Sequence, residues 1–180
     1  MSKRVLILSS SPRKGGNSDT LCDQFLAGAH ESGHIAEKVF LKSKNIHYCT
    51  GCGTCFNGSK ACPQQDDMRE ILEKMIQADV IVMATPVYFY SMAGQMKTLI
   101  DRTCARYQEL KNKQFYFLMT AADGNKKALQ RTLEGFRGFT SCLDGAQEKG
   151  VVYGVGAWNI GEIKGSSAMD EAYQFGASMT

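Results

Sequence analysis

Two stretches of this chain hold residue types whose spacing can do chemistry. The first is Ser9-Ser10-Ser11-Pro12-Arg13-Lys14-Gly15-Gly16-Asn17-Ser18-Asp19-Thr20, set between an apolar run, Val5-Leu6-Ile7-Leu8, and helical apolar spacing from Leu21 to Leu26. A strand that ends in hydroxyls, one guanidinium and two glycines, and then becomes a helix, is suited to receive an anion. The free N–H groups and dipole of the first helical turn favour negative charge. Gly15 and Gly16 allow close backbone approach, and Arg13 and Ser18 add charge-assisted and hydroxyl hydrogen bonds. A polar turn with ordinary Asn or Ser capping would use the same residues.

The second stretch is Cys49-x2-Cys52-x2-Cys55-x6-Cys62-Pro63. Its C-x2-C-x2-C run with a fourth cysteine before proline matches bacterial ferredoxin ligation, apart from a longer last spacing. Gly51, Gly53 and Gly58 would let the loop wrap a cluster and offer N–H groups to the sulfurs. Zinc would accept the same four thiolates, with His47 able to replace one. A redox dithiol or disulfide, or a loop kept for packing and oligomer contacts, is equally open. Asp66 and Asp67 are expected to cap the helix that follows, and His47 to be a surface or packing residue.

These stretches sit in an ordinary globular composition. The 180 residues are 43% hydrophobic and 22% charged, with a net charge of +3. That balance argues against nucleic acid or a membrane surface as partner. The seven cysteines come without a secretory pattern, since the loop from Ser9 stands where a cleavage site would fall, so they point to metal or redox use rather than a disulfide scaffold. Cys22, Cys104 and Cys142 lie in helical patterns and are expected in the core. The most apolar stretch, 80–84, is broken by Thr85-Pro86, so no membrane span is expected and the location is expected to be cytoplasmic.

The elements that must position the chemistry alternate. Strands are expected over 4–9, 35–41, 79–84, 114–120 and 150–155, and helices over 17–32, 67–77, 92–105, 126–142 and 166–176. This predicts one α/β domain over 1–180: a doubly wound, five-stranded parallel sheet of flavodoxin-like order 2-1-3-4-5, with a cysteine-rich loop at 46–64. Ligands of such sheets bind outside the carboxyl ends of the strands. Strand one delivers the Ser9–Thr20 loop, strand three Thr85 to Gly94, and strand four Thr120 to Gly124. Three successive aromatics, Tyr88-Phe89-Tyr90, suit the edge of a flat aromatic ligand, although packing on helices or a subunit partner would also use them. A phosphate loop, an aromatic loop and a small-residue loop at one sheet edge suit FMN. Neither a G-x-G-x-x-G fingerprint nor a P-loop is present.

Ser11-Pro12-Arg13-x-x-Gly16-Asn17-Ser18, Pro86-Val87-Tyr88-Phe89, Gly94-Gln95-Met96-Lys97-x-Leu99-Ile100-Asp101-Arg102 and Gly161-x-Ile163-Lys164-Gly165 together resemble the NADPH-dependent FMN reductase family. The likeness includes its iron–sulfur flavoprotein branch. The resemblance implies that Ser11, Arg13, Asn17 and Ser18 hold the FMN phosphate. It implies that Pro86, Val87, Tyr88, Phe89 and Ser91 line the isoalloxazine and ribityl chain. Thr120, Ala121 and Asp123 would complete the pocket; relatives often carry glycine where this chain has Ala121-Ala122. Cys49, Cys52, Cys55 and Cys62 would hold a [4Fe-4S] cluster as in iron–sulfur flavoproteins.

The expected activity is that of an FMN-dependent oxidoreductase with NAD(P)H as co-substrate, passing electrons to free flavin, a quinone, or a nitro or azo compound. No side chain is assigned a catalytic role, because the cofactor carries the chemistry. The alternative is an iron–sulfur flavoprotein electron carrier, with FMN and a cluster, reduced by a ferredoxin-type donor. A homodimer or homotetramer is expected, because relatives close the open side of the pocket with a neighbouring subunit.

Overall fold

The computed structural model describes residues 1–57 and 61–179; Gly58 lies outside them. The parallel strands are β1 (Arg4–Ser9), β2 (Ile35–Phe40), β3 (Val80–Tyr88), β5 (Gln114–Thr120) and β6 (Gln147–Gly154); β1, β3 and β5 are buried along most of their length, while β2 and β6 form the half-exposed edges. A two-residue strand, β4 (Ser91–Met92), pairs antiparallel with the end of β3. The sheet order is β2-β1-β3-β5-β6 with β4 attached to β3. With β4 set aside, this is the expected 2-1-3-4-5 order.

Among the described residues, five α-helices cover the two faces: α1 (Asn17–Glu31), α2 (Met68–Gln77), α3 (Gly94–Arg102), α4 (Gln130–Thr140) and α5 (Ser167–Ala177). Alternate residues of β1 feed separate cores, because successive strand side chains point to opposite faces. Val5 and Ile7 pack with Leu21 and Phe25 of α1 and Ala168 and Ala172 of α5. Leu6 and Leu8 pack with Ile71 and Met75 of α2, Met96 of α3 and Phe136 of α4.

The tightest helix contact is between α1 and α5. A Cβ on Gly28 would lie 2.2 Å from the Tyr173 carbonyl oxygen, and one on Gly176 2.2 Å from that of Phe25. Each helix thus contributes a glycine that lets the other's backbone in.

Several boundaries differ from the sequence expectation. The segment expected to leave strand three as a loop at Thr85 instead continues as β3 through Pro86, opposite Thr120, and folds back as a hairpin onto β4. The hairpin is held by the buried Thr85 hydroxyl, which accepts the Ala93 N–H at 2.9 Å. The last strand starts at Gln147 rather than 150, because a register irregularity near Phe115 and Tyr116 absorbs one residue of this edge strand. α3 stops at Arg102 and α4 starts at Gln130, with 3-10 turns at Thr103–Ala105 and Lys126–Leu129 taking the flanks.

Of the three scattered cysteines, Cys22 is buried in the core as expected. Cys142 is exposed beyond the end of α4, and Cys104 is half-buried in the 3-10 turn after α3. Neither lies on a helical core stripe, because both helices end before reaching them. Among the described residues no helix is long and apolar enough to cross a membrane.

Candidate functional site

Four loops, not three, meet at the carboxyl ends of the strands. They enclose a crevice of about 280 Å³ lined by Ser11, Arg13, Asn17 and Ser18 from the β1–α1 turn, Pro86, Val87 and Tyr88 from the end of β3, Thr120 to Ala122 after β5, and Ala157 and Trp158 after β6. β1 ends at Ser9, opposite Ala84, while β3 runs on to Tyr88. The sheet therefore opens at this point.

The β1–α1 turn is shaped from within. Ser11 Oγ donates to the Arg13 carbonyl at 2.7 Å and accepts the Arg13 N–H at 3.2 Å. Gly16 sits so close that a Cβ there would lie 2.5 Å from Ser11 Oγ and 2.9 Å from the Arg13 carbonyl oxygen. Beneath the turn the buried Asp19 carboxylate accepts the Gly15 N–H at 2.9 Å and the Ser9 hydroxyl at 2.7 Å, and pairs with Lys38 at 3.0 Å. Lys38 also bonds Asp23. Burial disfavours the charge on Lys38, but the hydrogen bonds to Asp23 and Asp19 outweigh it and hold the ammonium above its ordinary pKa.

The N-terminus of α1 faces the crevice with no side-chain cap. Ser18 Oγ, buried on the crevice wall, has no hydrogen-bond partner among the described residues. A buried hydroxyl without a partner costs about 1–3 kcal/mol, and a phosphate oxygen at this helix end would remove that cost.

Asn17 lines the same wall, but its side chain is fully engaged elsewhere. Its Nδ2 donates to the carbonyls of Ala157 (3.2 Å) and Asn159 (2.9 Å), and its Oδ1 accepts the N–H groups of Gly161 (3.1 Å) and Ile163 (3.4 Å). Asn17 therefore clamps the β6–α5 loop against α1. Arg13 joins it through a 3.2 Å hydrogen bond to the Trp158 carbonyl. Within that loop Glu162 accepts from Trp158 N and Asn159 N; the Asn159 side chain and these amides hold its carboxyl below its ordinary range.

Phe89, Ser91 and Asp123 stand outside the crevice lining. Phe89 and Tyr90 form the two-residue turn of the β3–β4 hairpin, both at positive φ (47° and 63°). Tyr90 lies under Arg131 of α4, 5.5 Å from guanidinium carbon to ring centre. Phe89 is fully exposed and Ser91 is exposed. Asp123 turns its carboxylate back to the Asn125 N–H at 2.8 Å, shaping the loop rather than facing the cavity.

The β6–α5 loop was missed as a crevice wall, although Trp158 is the chain's single tryptophan. The rule that placed the other three loops, ligand sites at strand carboxyl ends, would have found it.

The cysteine loop lies apart, against the end of α3. Cys49 and Cys52 are exposed, and Cys55 and Cys62 half-buried. Gly51 and Gly53 are both left-handed (φ 66° and 71°), the conformation that glycine permits. The Thr54 hydroxyl, bonded to Cys52 Sγ at 3.4 Å, draws that thiol below its ordinary pKa.

Arg102 is the loop's anchor. It donates to the His47 carbonyl at 2.7 Å, forms a two-point pair with Asp66, and has the Cys62 sulfur beside it. Asp66 also accepts the Met68 N–H at 3.2 Å, whereas Asp67 does not cap α2 with its side chain and instead accepts the Asn45 N–H at 2.7 Å. The expected double cap is thus an anchor plus one cap, because Arg102 demands a buried carboxylate. His47 is exposed, 3.5 Å from Asp66.

Cys55 lines a cavity together with Cys104 of the turn after α3. Among the described residues no three His, Cys, Asp or Glu side chains are arranged to hold a metal ion. The donor chemistry of the loop suits a cluster, but as placed its four sulfurs are not gathered around one point.

Comparison with known proteins agrees with this architecture. An iron–sulfur flavoprotein of Archaeoglobus fulgidus is 46% identical over 100 residues, 56% of this chain and 44% of that protein. An iron–sulfur flavoprotein of Methanosarcina thermophila is 38% identical over 100 residues, 56% of this chain and 52% of that protein. The chain thus spans about half the length of these curated relatives. The solved structure of the Trp repressor binding protein from Bacillus subtilis shares the fold at a TM-score of 0.70 and 24% identity, covering 96% of this chain and 99% of that one. The family model for NADPH-dependent FMN reductases matches residues 3–148. With that match over most of its length, the chain, its crevice set at the end of β1, belongs to the NADPH-dependent FMN reductase family.

Proposed function

We propose that this protein is an FMN-dependent oxidoreductase that uses NAD(P)H and reduces a flavin, quinone or similar small acceptor. The observation that carries the reading is the unpartnered, buried Ser18 hydroxyl beside Arg13 at the uncapped end of α1. Family membership supports FMN as the group received there.

Bound FMN would supply the redox chemistry, accepting hydride and releasing electrons. The chain's own residues bind and orient it. Ser18 Oγ and the Arg13 guanidinium would bond the phosphate, together with the backbone N–H groups of Asn17 and Ser18, while Ser11 holds the turn in shape. Pro86, Val87 and Tyr88 would line the isoalloxazine and ribityl chain, with Thr120 and Ala121 opposite. Trp158 would close one side against water. Phe89 and Ser91, on the exposed hairpin, would reach the ring from above or meet a neighbouring subunit, as a homodimer or homotetramer would provide. A cytoplasmic location accords with this chemistry.

The test is direct. The purified protein should carry or take up FMN at one per chain, and NADPH or NADH should bleach its absorbance near about 450 nm. Protein that binds no FMN, or FMN that stays oxidised with both nucleotides, would falsify the reading.

The second reading is an electron carrier with FMN and a [4Fe-4S] cluster on Cys49, Cys52, Cys55 and Cys62, served by a ferredoxin-type donor. The ligand spacing and the iron–sulfur flavoprotein relatives favour it. Four iron and four sulfide per chain after anaerobic purification would support it; iron-free protein under those conditions would remove it.

A further inference from the structure

We propose that Cys55 and Cys104 form a reversible dithiol–disulfide pair joining the cysteine-rich loop to the end of α3. The turn Thr54–Phe56 rests on the turn Thr103–Ala105, with Cα atoms of the two within 8 Å. Cys55 and Cys104 line one cavity of about 510 Å³, which Phe56 and Arg106 also border. Both thiols are half-buried and free. Cys104 falls outside the C-x2-C-x2-C-x6-C spacing, so only the fold brings it to the loop.

The oxidant is a peroxide. One thiolate sulfur attacks a peroxide oxygen: an S–O bond forms, the O–O bond breaks, and hydroxide leaves. The second thiolate then attacks the sulfenic sulfur: the S–S bond forms, the S–O bond breaks, and hydroxide leaves; the two protons lost by the thiols turn both hydroxides into water. Two thiols and one hydrogen peroxide become one disulfide and two waters, and a dithiol such as dithiothreitol reverses the reaction by exchange. Cys55 in a disulfide is unavailable to a metal. On the four-cysteine ligand reading, and only there, the loop would thus have two exclusive states.

The experiment uses the full chain, reduced, desalted and titrated with hydrogen peroxide until no further thiol is lost. The remaining thiols are then alkylated and the protein is digested with trypsin without reductant. Trypsin releases Cys104 on the peptide 103–106 and carries Cys49, Cys52 and Cys55 together on 45–60. The same titration of C49S/C52S leaves Cys55 the only cysteine on the second peptide. Both proteins should yield the two peptides linked, with dithiothreitol releasing them, and in C49S/C52S the linked mass should be about 2 Da below the sum of the two peptides. Alkylated Cys104 in either protein, or Cys104 linked to the peptide bearing Cys62, overturns the proposal. Iron measured on the starting sample reports on the cluster reading separately, so the two fail independently.

Discussion

Asp66 and Arg102 meet as a buried two-point pair, with Nη1 2.6 Å from Oδ2 and Nη2 2.9 Å from Oδ1, and side chains only 0% and 2% exposed. Through it the end of α3 holds both ends of the cysteine loop. Removing one partner leaves the other charge buried and unpaired, so D66N should cost about 3–5 kcal/mol at neutral pH, measured by urea unfolding.

The pair also sets an acid limit. Burial pushes the Asp66 carboxyl up, but Arg102 and the His47 and Met68 amides outweigh it and hold it below the ordinary range. A carboxyl depressed in the folded state adds stability that is complete above its unfolded value, about 3.9, and fades as pH falls through the folded one. Unfolding free energy should therefore drop below about pH 4 in the wild type, and D66N should show a shallower drop. Parallel acid curves would show that other carboxylates dominate.

The Ser18 hydroxyl separates ligand binding from stability. In S18A the buried, unpartnered group is gone, so the ligand-free protein should be equally or slightly more stable. FMN affinity should nevertheless fall about tenfold, the loss of about 1.4 kcal/mol, while riboflavin, which lacks the phosphate, should bind as before. Equal losses for both ligands would place Ser18 away from the phosphate. R13A should follow the same pattern with a larger loss for FMN, about 1.5–3 kcal/mol for a charged hydrogen bond.

The α1–α5 crossing depends on two glycines. G28A or G176A would drive a methyl into backbone at 2.2 Å and should cost at least about 1–3 kcal/mol. Gly138 of α4 meets nothing within 4 Å, and G138A should gain about 0.5–1 kcal/mol instead. Thermal unfolding of the three variants should rank them in that order.

The hairpin turn trades stability for display. Phe89 and Tyr90 occupy a two-residue turn at positive φ, where Asn-Gly is preferred. Left-handed backbone costs a non-glycine residue about 1–2 kcal/mol. F89N/Y90G should raise the melting temperature while weakening NAD(P)H-dependent reduction of FMN or its acceptor. A variant more stable and equally active would show that the aromatics serve packing alone.

Much of this was legible from residue types. Val5 to Leu8 could only be a buried strand, and the Ser9–Thr20 loop could only lie at its carboxyl end. Thr85 to Tyr88 misled, because Pro86 reads as a strand breaker; it is accommodated in β3 just past the point where β1 ends. The family resemblance implies that Asn17 holds the phosphate, whereas its side chain holds a loop more than a hundred residues away in sequence.

The sequence by itself determined the alternation of strands and helices, the order of the sheet and the anion-receiving turn, because apolar periodicity and glycine placement are local. Tertiary structure alone decided that Asn17 ties the β6–α5 loop to α1, that Arg102 anchors the cysteine loop, and that Cys104 shares a cavity with Cys55. Each of these joins residues far apart in the chain, and no spacing rule encodes a contact that exists only once the helices are packed on the sheet.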